Sequence, residues 1–403
     1  MIRVLNVLFE ERFGGPQSRV LQVALGLQRL GVETTVVIPE GDPTFSRELR
    51  TAGVEQVEFD LVRPRFSGNP RLHATFLSCF WPNVKCLRRI IRDHKIHLVH
   101  TNGLMNLQAA MAARLEQVPL VWHLNDTNTP LPLRLFLAPL VRRWASQIAV
   151  AADAVGAYYF RDLHALHGKV QTLYAPVDTS RFGPGNDGTA VRSEIGIAPD
   201  VPIVGAVGNL CPGKGHEFFI EATPTILNRF PNVRFLIVGS PLSNRKRYEQ
   251  TLRKRVRQLG LEQHVLFLGR RNDMPSVMAA MNIYVHPSEA EACPMAVLEA
   301  SASGLPVVVT DVGGTRELVD HDRTGLLMET RSPSQIAEHV MRLLENPEQA
   351  RQMGYKGAQR MRERFSLDCC VEGHFRIYTA ALHGTLQQID SSCSQPTYSV
   401  TIR

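Results

Sequence analysis

The sequence predicts an α/β protein built from two doubly wound units, each a parallel sheet wrapped by helices. Three observations predict it. Apolar runs of strand length alternate with stretches of helical period, the alternation occurs twice, and a Gly/Pro/Asn/Asp-rich stretch at 183–189 separates the two series. Strands that are nearly continuously apolar, and not only at alternate positions, are buried on both faces, as in a parallel sheet covered by helices. A length of 403 residues suits two or three domains.

The elements follow in order. Residues 3–9 are expected as a first strand and not a signal peptide, because Glu10-Glu11-Arg12 cuts the apolar run short. Further strands are expected at 33–39, 97–101, 119–124, 147–151 and 170–174. Helical periods fall between them at 17–30, 83–94, 104–116 and 133–144. The second series places strands at 202–207, 233–238, 264–268, 283–286 and 306–311. Its helices fall at 217–230, 245–259, 274–280 and 295–303. After Ser332 only helical pattern remains, ending in an amphipathic helix at 368–382. The domain assignment is 1–182, a linker at 183–189 and a second domain at 190–366. A helix at 367–386 is expected to return to the first domain, with a disordered tail at 387–403.

Composition narrows the function. No apolar run approaches the ~18 residues of a membrane span. The seven cysteines form no CxxC pair and are odd in number, so a zinc knuckle or disulfide framework is not expected and a reducing cytoplasm is. The net charge of +7 is lopsided: residues 1–186 carry 21 Lys/Arg against 15 Asp/Glu, the remainder 24 against 23. A basic first half favours an anionic partner. Nucleic acid is a poor candidate, because no basic segment is interleaved with aromatics.

Three turns could carry chemistry. After the strand at 283–286 comes Glu291-Ala292-Cys293-Pro294-Met295-Ala296-Val297-Leu298-Glu299. Pro294 is expected as a first helical residue, leaving the amides of Met295 and Ala296 free to meet an anion at the helix mouth. One glutamate then precedes the mouth and the other lies beyond it. In Val207-Gly208-Asn209-Leu210-Cys211-Pro212-Gly213-Lys214-Gly215, a glycine turn lets backbone amides approach phosphate and Lys214 adds a point charge. Gly14-Gly15 after the first strand is a similar turn. No GxGxxG occurs at either place, which counts against a nicotinamide or flavin dehydrogenase.

Together, the Gly14-Gly15 turn, Gly208-Asn209-Leu210 with Lys214-Gly215, and the Glu291-x7-Glu299 block resemble the retaining glycosyltransferases of family 4, which have the GT-B fold. So do Gly304-Leu305-Pro306, Gly313-Gly314-Thr315-Arg316-Glu317-Leu318 and Thr324-Gly325-Leu326-Leu327. The resemblance runs from the first strand to about residue 383. It implies an interdomain cleft holding a nucleotide-diphosphate sugar, with no further cofactor and no metal. Lys214 and the helix mouth at Met295 would neutralise the diphosphate, and Gly15 would approach it from the opposite domain. Glu299 would accept from the ribose, Glu291 would meet the sugar, and the backbone at Gly269-Arg270 would read the base.

The family's usual His-Asp pair falls on Asn125-Asp126, so His123, two residues earlier, is a candidate substitute beside Asp126. Arginine is usual at Asn209. The loss of that charge would weaken donor binding by ~1.5–3 kcal/mol unless replaced, with Arg19 and Arg270 as candidates. The implied activity is transfer to a glycan or lipid-linked acceptor in polysaccharide or cell-envelope synthesis. An epimerase of the same fold and a catalytically silent sugar-nucleotide scaffold are the alternatives.

Asp320-His321-Asp322 is a literal DxD, but acidic residues favour turns and it is read as one. His94, His97 and His100 cannot share one face. Residues 133–144 mix apolar side chains, arginines and Trp144, a candidate peripheral membrane contact alongside Arg88, Arg89, Arg92 and Lys95. Pro139 argues there against one continuous helix.

Overall fold

The computed structural model describes residues 1–10, 14–41, 43–64, 69–162, 166, 168–241 and 246–392. The first half forms a seven-stranded parallel sheet from β1 (Ile2–Val7), β2 (Val32–Pro39), β3 (Gln56–Phe59), β4 (Leu98–Asn102), β5 (Leu120–Leu124), β6 (Gln147–Val150) and β7 (Val170–Thr172). Their order is β3-β2-β1-β4-β5-β6-β7. The second half forms a six-stranded parallel sheet from β8 (Ile203–Val207), β9 (Arg234–Val238), β10 (Val265–Gly269), β11 (Ile283–His286), β12 (Val307–Thr310) and β13 (Leu326–Met328), ordered β10-β9-β8-β11-β12-β13. Both sheets reverse direction at one place, between β1 and β4 and between β8 and β11. Such switch points open a crevice at the strands' carboxyl ends, where ligands of this architecture sit.

One face of the first sheet is covered by α1 (Gly15–Gln28) and α2 (Pro43–Thr51), the other by α3 (Pro70–Asp93), α4 (Leu107–Leu115), α5 (Leu131–Trp144) and α6 (Asp153–Tyr159). Helix α7 (Thr189–Glu194) follows the connection. The second sheet is wrapped by α8 (His216–Arg229), α9 (Lys246–Gln258), α10 (Met274–Ala280), α11 (Met295–Ala302), α12 (Thr315–Leu318), α13 (Pro333–Glu345) and α14 (Pro347–Arg364). The chain then crosses back. In α15 (Leu367–Ser392), Val371, Ile377, Tyr378 and Ala381 pack with Val23 and Leu27 of α1 and with Val4, Leu98, Val121 and Ala149 of the first sheet.

Several elements differ from the sequence expectation. The edge strands β3 and β13 are short, and the partly exposed Gln56-Val57-Glu58-Phe59 has no apolar run to announce it. Helix α3 begins at Pro70, well before 83, because its first turns expose Leu72, Leu77 and Trp81 and so break the buried period. Helix α5 continues through Pro139. The carbonyl four residues earlier belongs to the exposed Leu135, where water can take the lost partner's place. Pro294 is the extended N-cap of α11 and not its first residue. Of the expected disordered tail, 387–392 continue α15, and 393–403 lie outside the described residues.

Candidate active site

The two switch points face each other across a cavity of about 590 Å³. From the first half its wall takes the mouth of α1 at Gly15 and Pro16, Arg19, and the loop 125–128 that follows β5. From the second half it takes the loops 211–214 after β8 and 289–293 after β11, with Met295.

Glycine conformations set the second-half wall. Gly213 and Gly215 have φ of +88° and +69°, and a Cβ on Gly215 would stand 2.0 Å from the carbonyl oxygen of Pro287. The turn therefore lies flat on the loop after β11, and the Glu289 amide donates to the Gly213 carbonyl at 2.8 Å. A Cβ on Gly313 would fall 1.7 Å from the Glu291 carbonyl oxygen, so the second loop is held equally close.

These contacts bring together two residues 77 positions apart. Lys214 Nζ lies 2.5 Å from Glu291 Oε1, and His286 Nε2 lies 2.9 Å from the same oxygen. The Tyr284 hydroxyl, 3.0 Å from His286 Nδ1, holds the imidazole from behind. Burial works to raise the Glu291 carboxyl. The hydrogen bond and charge of His286 and the Lys214 ammonium outweigh it and hold the carboxyl at about 2. At neutral pH the site therefore presents a fixed carboxylate and a lysine at one point of the wall. His286 had no motif to announce it.

Helix α11 opens at the cavity. Its N-cap Pro294 offers no side-chain acceptor, and the first-turn amides of a helix have no acceptor within it. Met295 also touches the opposite half: a Cβ on Gly15 would sit 3.2 Å from Met295 Cγ. Glu299, one turn deeper, lies outside the cavity lining. Burial raises its carboxyl to about 7, against the lowering charge of Arg181. Asn209 and Arg270 are exposed, and they and Gly269 lie outside the lining as well. For Gly269 and Arg270 the reason is topological, since β10 is the edge strand two removed from the switch point.

His123 corrects the sequence expectation. It is fully buried and does not reach the cavity, because Arg19 stands in front of it. Arg19 Nη1 lies 3.3 Å from His123 Nε2 and Arg19 Nη2 donates to Asn102 Oδ1 at 2.8 Å. Behind it, His123 Nδ1 is 3.2 Å from His100 Nε2, and His100 Nδ1 is 2.8 Å from the Tyr378 hydroxyl of α15. Burial and the Arg19 charge hold the His123 imidazole well below its ordinary value, so it is neutral. Asp126 does line the cavity, and its carboxylate accepts from Thr129 Oγ1 and the Tyr159 hydroxyl, both at 2.9 Å.

A further contact fastens the halves beside the cavity. The Glu317 carboxylate on α12 accepts from the amides of Asp153 and Ala154 at the start of α6, and from the Tyr174 hydroxyl, each at 2.8 Å. The Asp320-His321-Asp322 triplet is a turn, as expected, with Asp322 paired to Arg342 and Asp320 to Arg323.

With this geometry in hand, comparison with known proteins gives consistent matches. The family model described as Glycosyltransferase Family 4 matches residues 13–181, and that described as Glycosyl transferases group 1 matches 188–360. A D-inositol 3-phosphate glycosyltransferase of Nocardia farcinica is 32% identical over 230 residues, covering 55% of this chain and 51% of the relative. A GDP-mannose-dependent monoacylated alpha-(1-6)-phosphatidylinositol monomannoside mannosyltransferase of Corynebacterium glutamicum is 31% identical over 224 residues, 53% of this chain and 57% of the relative. The chain thus spans a little over half the length of these curated relatives. A glycosyltransferase of Rickettsia africae shares the fold with a TM-score of 0.81 at 18% identity, covering 94% of this chain and 98% of that one.

Proposed function

The chain belongs to the glycosyltransferases of family 4, and from that premise we propose that it moves a sugar from a nucleotide-diphosphate donor to a glycan or lipid-linked acceptor. The observation that carries this reading is the cavity between the halves, where Lys214, Glu291, the mouth of α11 and Gly15 converge. A diphosphate fits the ammonium and the first-turn amides, and the sugar then falls beside the fixed carboxylate of Glu291. The nucleotide sugar is the substrate, and no separate cofactor or metal is assigned.

The transfer is assigned with retention. The bond from the anomeric carbon to the diphosphate oxygen breaks, the acceptor oxygen bonds that carbon on the same face, and its proton passes to the departing phosphate. Lys214 and the α11 amides stabilise the developing charge, and wall contacts hold the acceptor oxygen beside the departing phosphate oxygen on that one face. Lys214→Ala is expected to lower kcat/KM by about 10²–10³-fold; near-normal turnover would remove Lys214 from this role. A thermal-shift screen over UDP-, GDP-, ADP- and TDP-sugars identifies the donor, since only a bound ligand raises the midpoint.

A lipid-linked acceptor is supported by the surface. Helices α3 and α5 both start at the carboxyl edge of the first sheet, and there they expose Leu72, Leu77 and Trp81, and Leu131, Leu135 and Phe136. Arg71, Lys85 and Arg134 lie on the same two helices. Apolar side chains flanked by cations suit an anionic membrane surface. No helix among the described residues is long and apolar enough to cross a membrane. Co-sedimentation is expected with vesicles rich in phosphatidylglycerol and not with pure phosphatidylcholine. Trp81→Ser with Phe136→Ser should abolish it, and unchanged sedimentation would remove this face from the reading.

A further inference from the structure

Arg19 is a buried cation without an anion. It is 5% exposed, yet it lines the cavity. Its hydrogen-bond partners are His123 and Asn102, both neutral, and no carboxylate forms a salt bridge with it among the described residues. The nearby thiols of Cys293 and Cys370 do not neutralise it, because burial pushes each up to about 12. An arginine cannot shed its proton to escape such a site. A buried charge of this kind is costly unless something of opposite sign meets it.

The groups behind Arg19 fix where it can point. Arginine only donates, so His123 Nε2 accepts and His123 Nδ1–H donates to His100 Nε2. His100 Nδ1–H in turn donates to the Tyr378 oxygen. Asn102 is held by Asn6 Oδ1 at 2.7 Å. The fork is braced from the rear by neutral groups, and its open side is the cavity. A metal is the competing reading, since ring nitrogens of His100, His123 and His374 lie within 4.8 Å of one another. Metal at His123 Nδ1 would put the proton on Nε2, facing an Arg19 N–H, donor against donor and cation beside cation.

We propose that Arg19 forms an oxyanion subsite on the first-half wall that receives an acidic group of the transferred sugar, making the donor a sugar acid. The inference rests on the transfer reading above. The Lys214 and Met295 cradle for the diphosphate belongs to the second half, whereas Arg19 lies one helical turn beyond Gly15 on the opposite wall. Arg19 and Glu291 are both nearly buried and line one cavity, so the part of the ligand between them is the enclosed one. An acceptor enters at the open rim.

Titration calorimetry with UDP-glucose against UDP-glucuronate, and GDP-mannose against GDP-mannuronate, tests this. Within the pair that binds, the acid is expected to bind about tenfold to a hundredfold tighter. Arg19→Met should erase that preference, bringing the acid-to-neutral affinity ratio to within about twofold of one, and Arg19→Lys should restore part of it. Unfolding midpoints of both variants establish that they are folded. Equal affinity for acid and neutral donors in the natural protein overturns the proposal. So does an equal loss of UDP or GDP affinity in Arg19→Met, which would make Arg19 a diphosphate ligand. Arg19-dependent capture of glucose 6-phosphate as acceptor, without a donor preference, overturns it too. If no nucleotide sugar binds at all, the transfer reading itself fails.

Discussion

Glu291 and Glu299 flank the mouth of one helix and are driven in opposite directions. Glu291 is held at about 2 and Glu299 raised to about 7, against an ordinary 4.5 for both. The difference lies in their partners: Glu291 has His286 and Lys214, while Glu299 has burial and only the charge of Arg181 against it. For Glu299 the folded state holds its proton more tightly than the unfolded chain does, so stability falls as pH rises from about 4.5 to about 7. Glu299→Gln should therefore raise the unfolding midpoint at about pH 8 and lose that advantage by about pH 4.5. For Glu291 the sign reverses: its contribution is present above about 4.5 and is lost as pH falls toward 2. A pH-independent midpoint difference for Glu299→Gln would remove the ionisation argument. Nucleotide binding gives a second readout. If a ribose hydroxyl donates to Glu299, the ionised form is favoured and a proton is released at about pH 6–7, measurable in buffers of different ionisation enthalpy.

Among elements, α12 and α6 have the most consequential contact. They lie in different halves, and one carboxylate on α12 satisfies two amides at the start of α6 and a tyrosine hydroxyl. Hydrogen bonds to a charged acceptor contribute about 1.5–3 kcal/mol each, without simple additivity. Gly314 allows this closeness, since a Cβ there would meet the Ala292 carbonyl oxygen at 2.0 Å and Ala152 Cβ at 2.6 Å. Glu317→Ala is expected to raise the donor KM about tenfold. It should also enlarge the radius of gyration in small-angle scattering, with Glu317→Gln intermediate. An unchanged radius and KM would mean that other contacts close the cleft.

At the scale of the whole molecule, α15 binds the end of the chain to its beginning. Gly26 of α1 has no side chain where α15 crosses, and a Cβ there would stand 2.4 Å from Val371 Cγ2. The crossing buries Ile377 and Tyr378 over the first sheet and closes the Arg19–His123–His100 series from behind. A chain ending at residue 366 would expose that apolar face, and it is expected to aggregate or to show rapid proteolysis of the first half. A monodisperse, active truncated chain would make α15 a mere appendage.

Much of the architecture was legible in the sequence. Strands such as β8 and β12 are apolar along nearly all their length because both sheet faces are covered, and the covering helices repeat the same period. Edge strands β3 and β13 were not legible, because β3 is half-exposed with no apolar run and β13 is only three residues long. At the site, Lys214, Glu291 and Met295 stood out because glycine and proline mark the turns that carry them. His286 and Glu317 did not stand out as site residues, nor did His100 and Tyr378 as the brace of Arg19. A strand histidine or a helix tyrosine acquires its role only from a partner, and Tyr378 meets His100 across 278 positions. His123 shows the same division: its place at a strand end could be read from the sequence, but its burial behind Arg19 could not. Local periodicity and turn chemistry act within a few residues and so are written in the chain. Which polar groups face one another depends on packing between distant segments, and only the tertiary structure decided that.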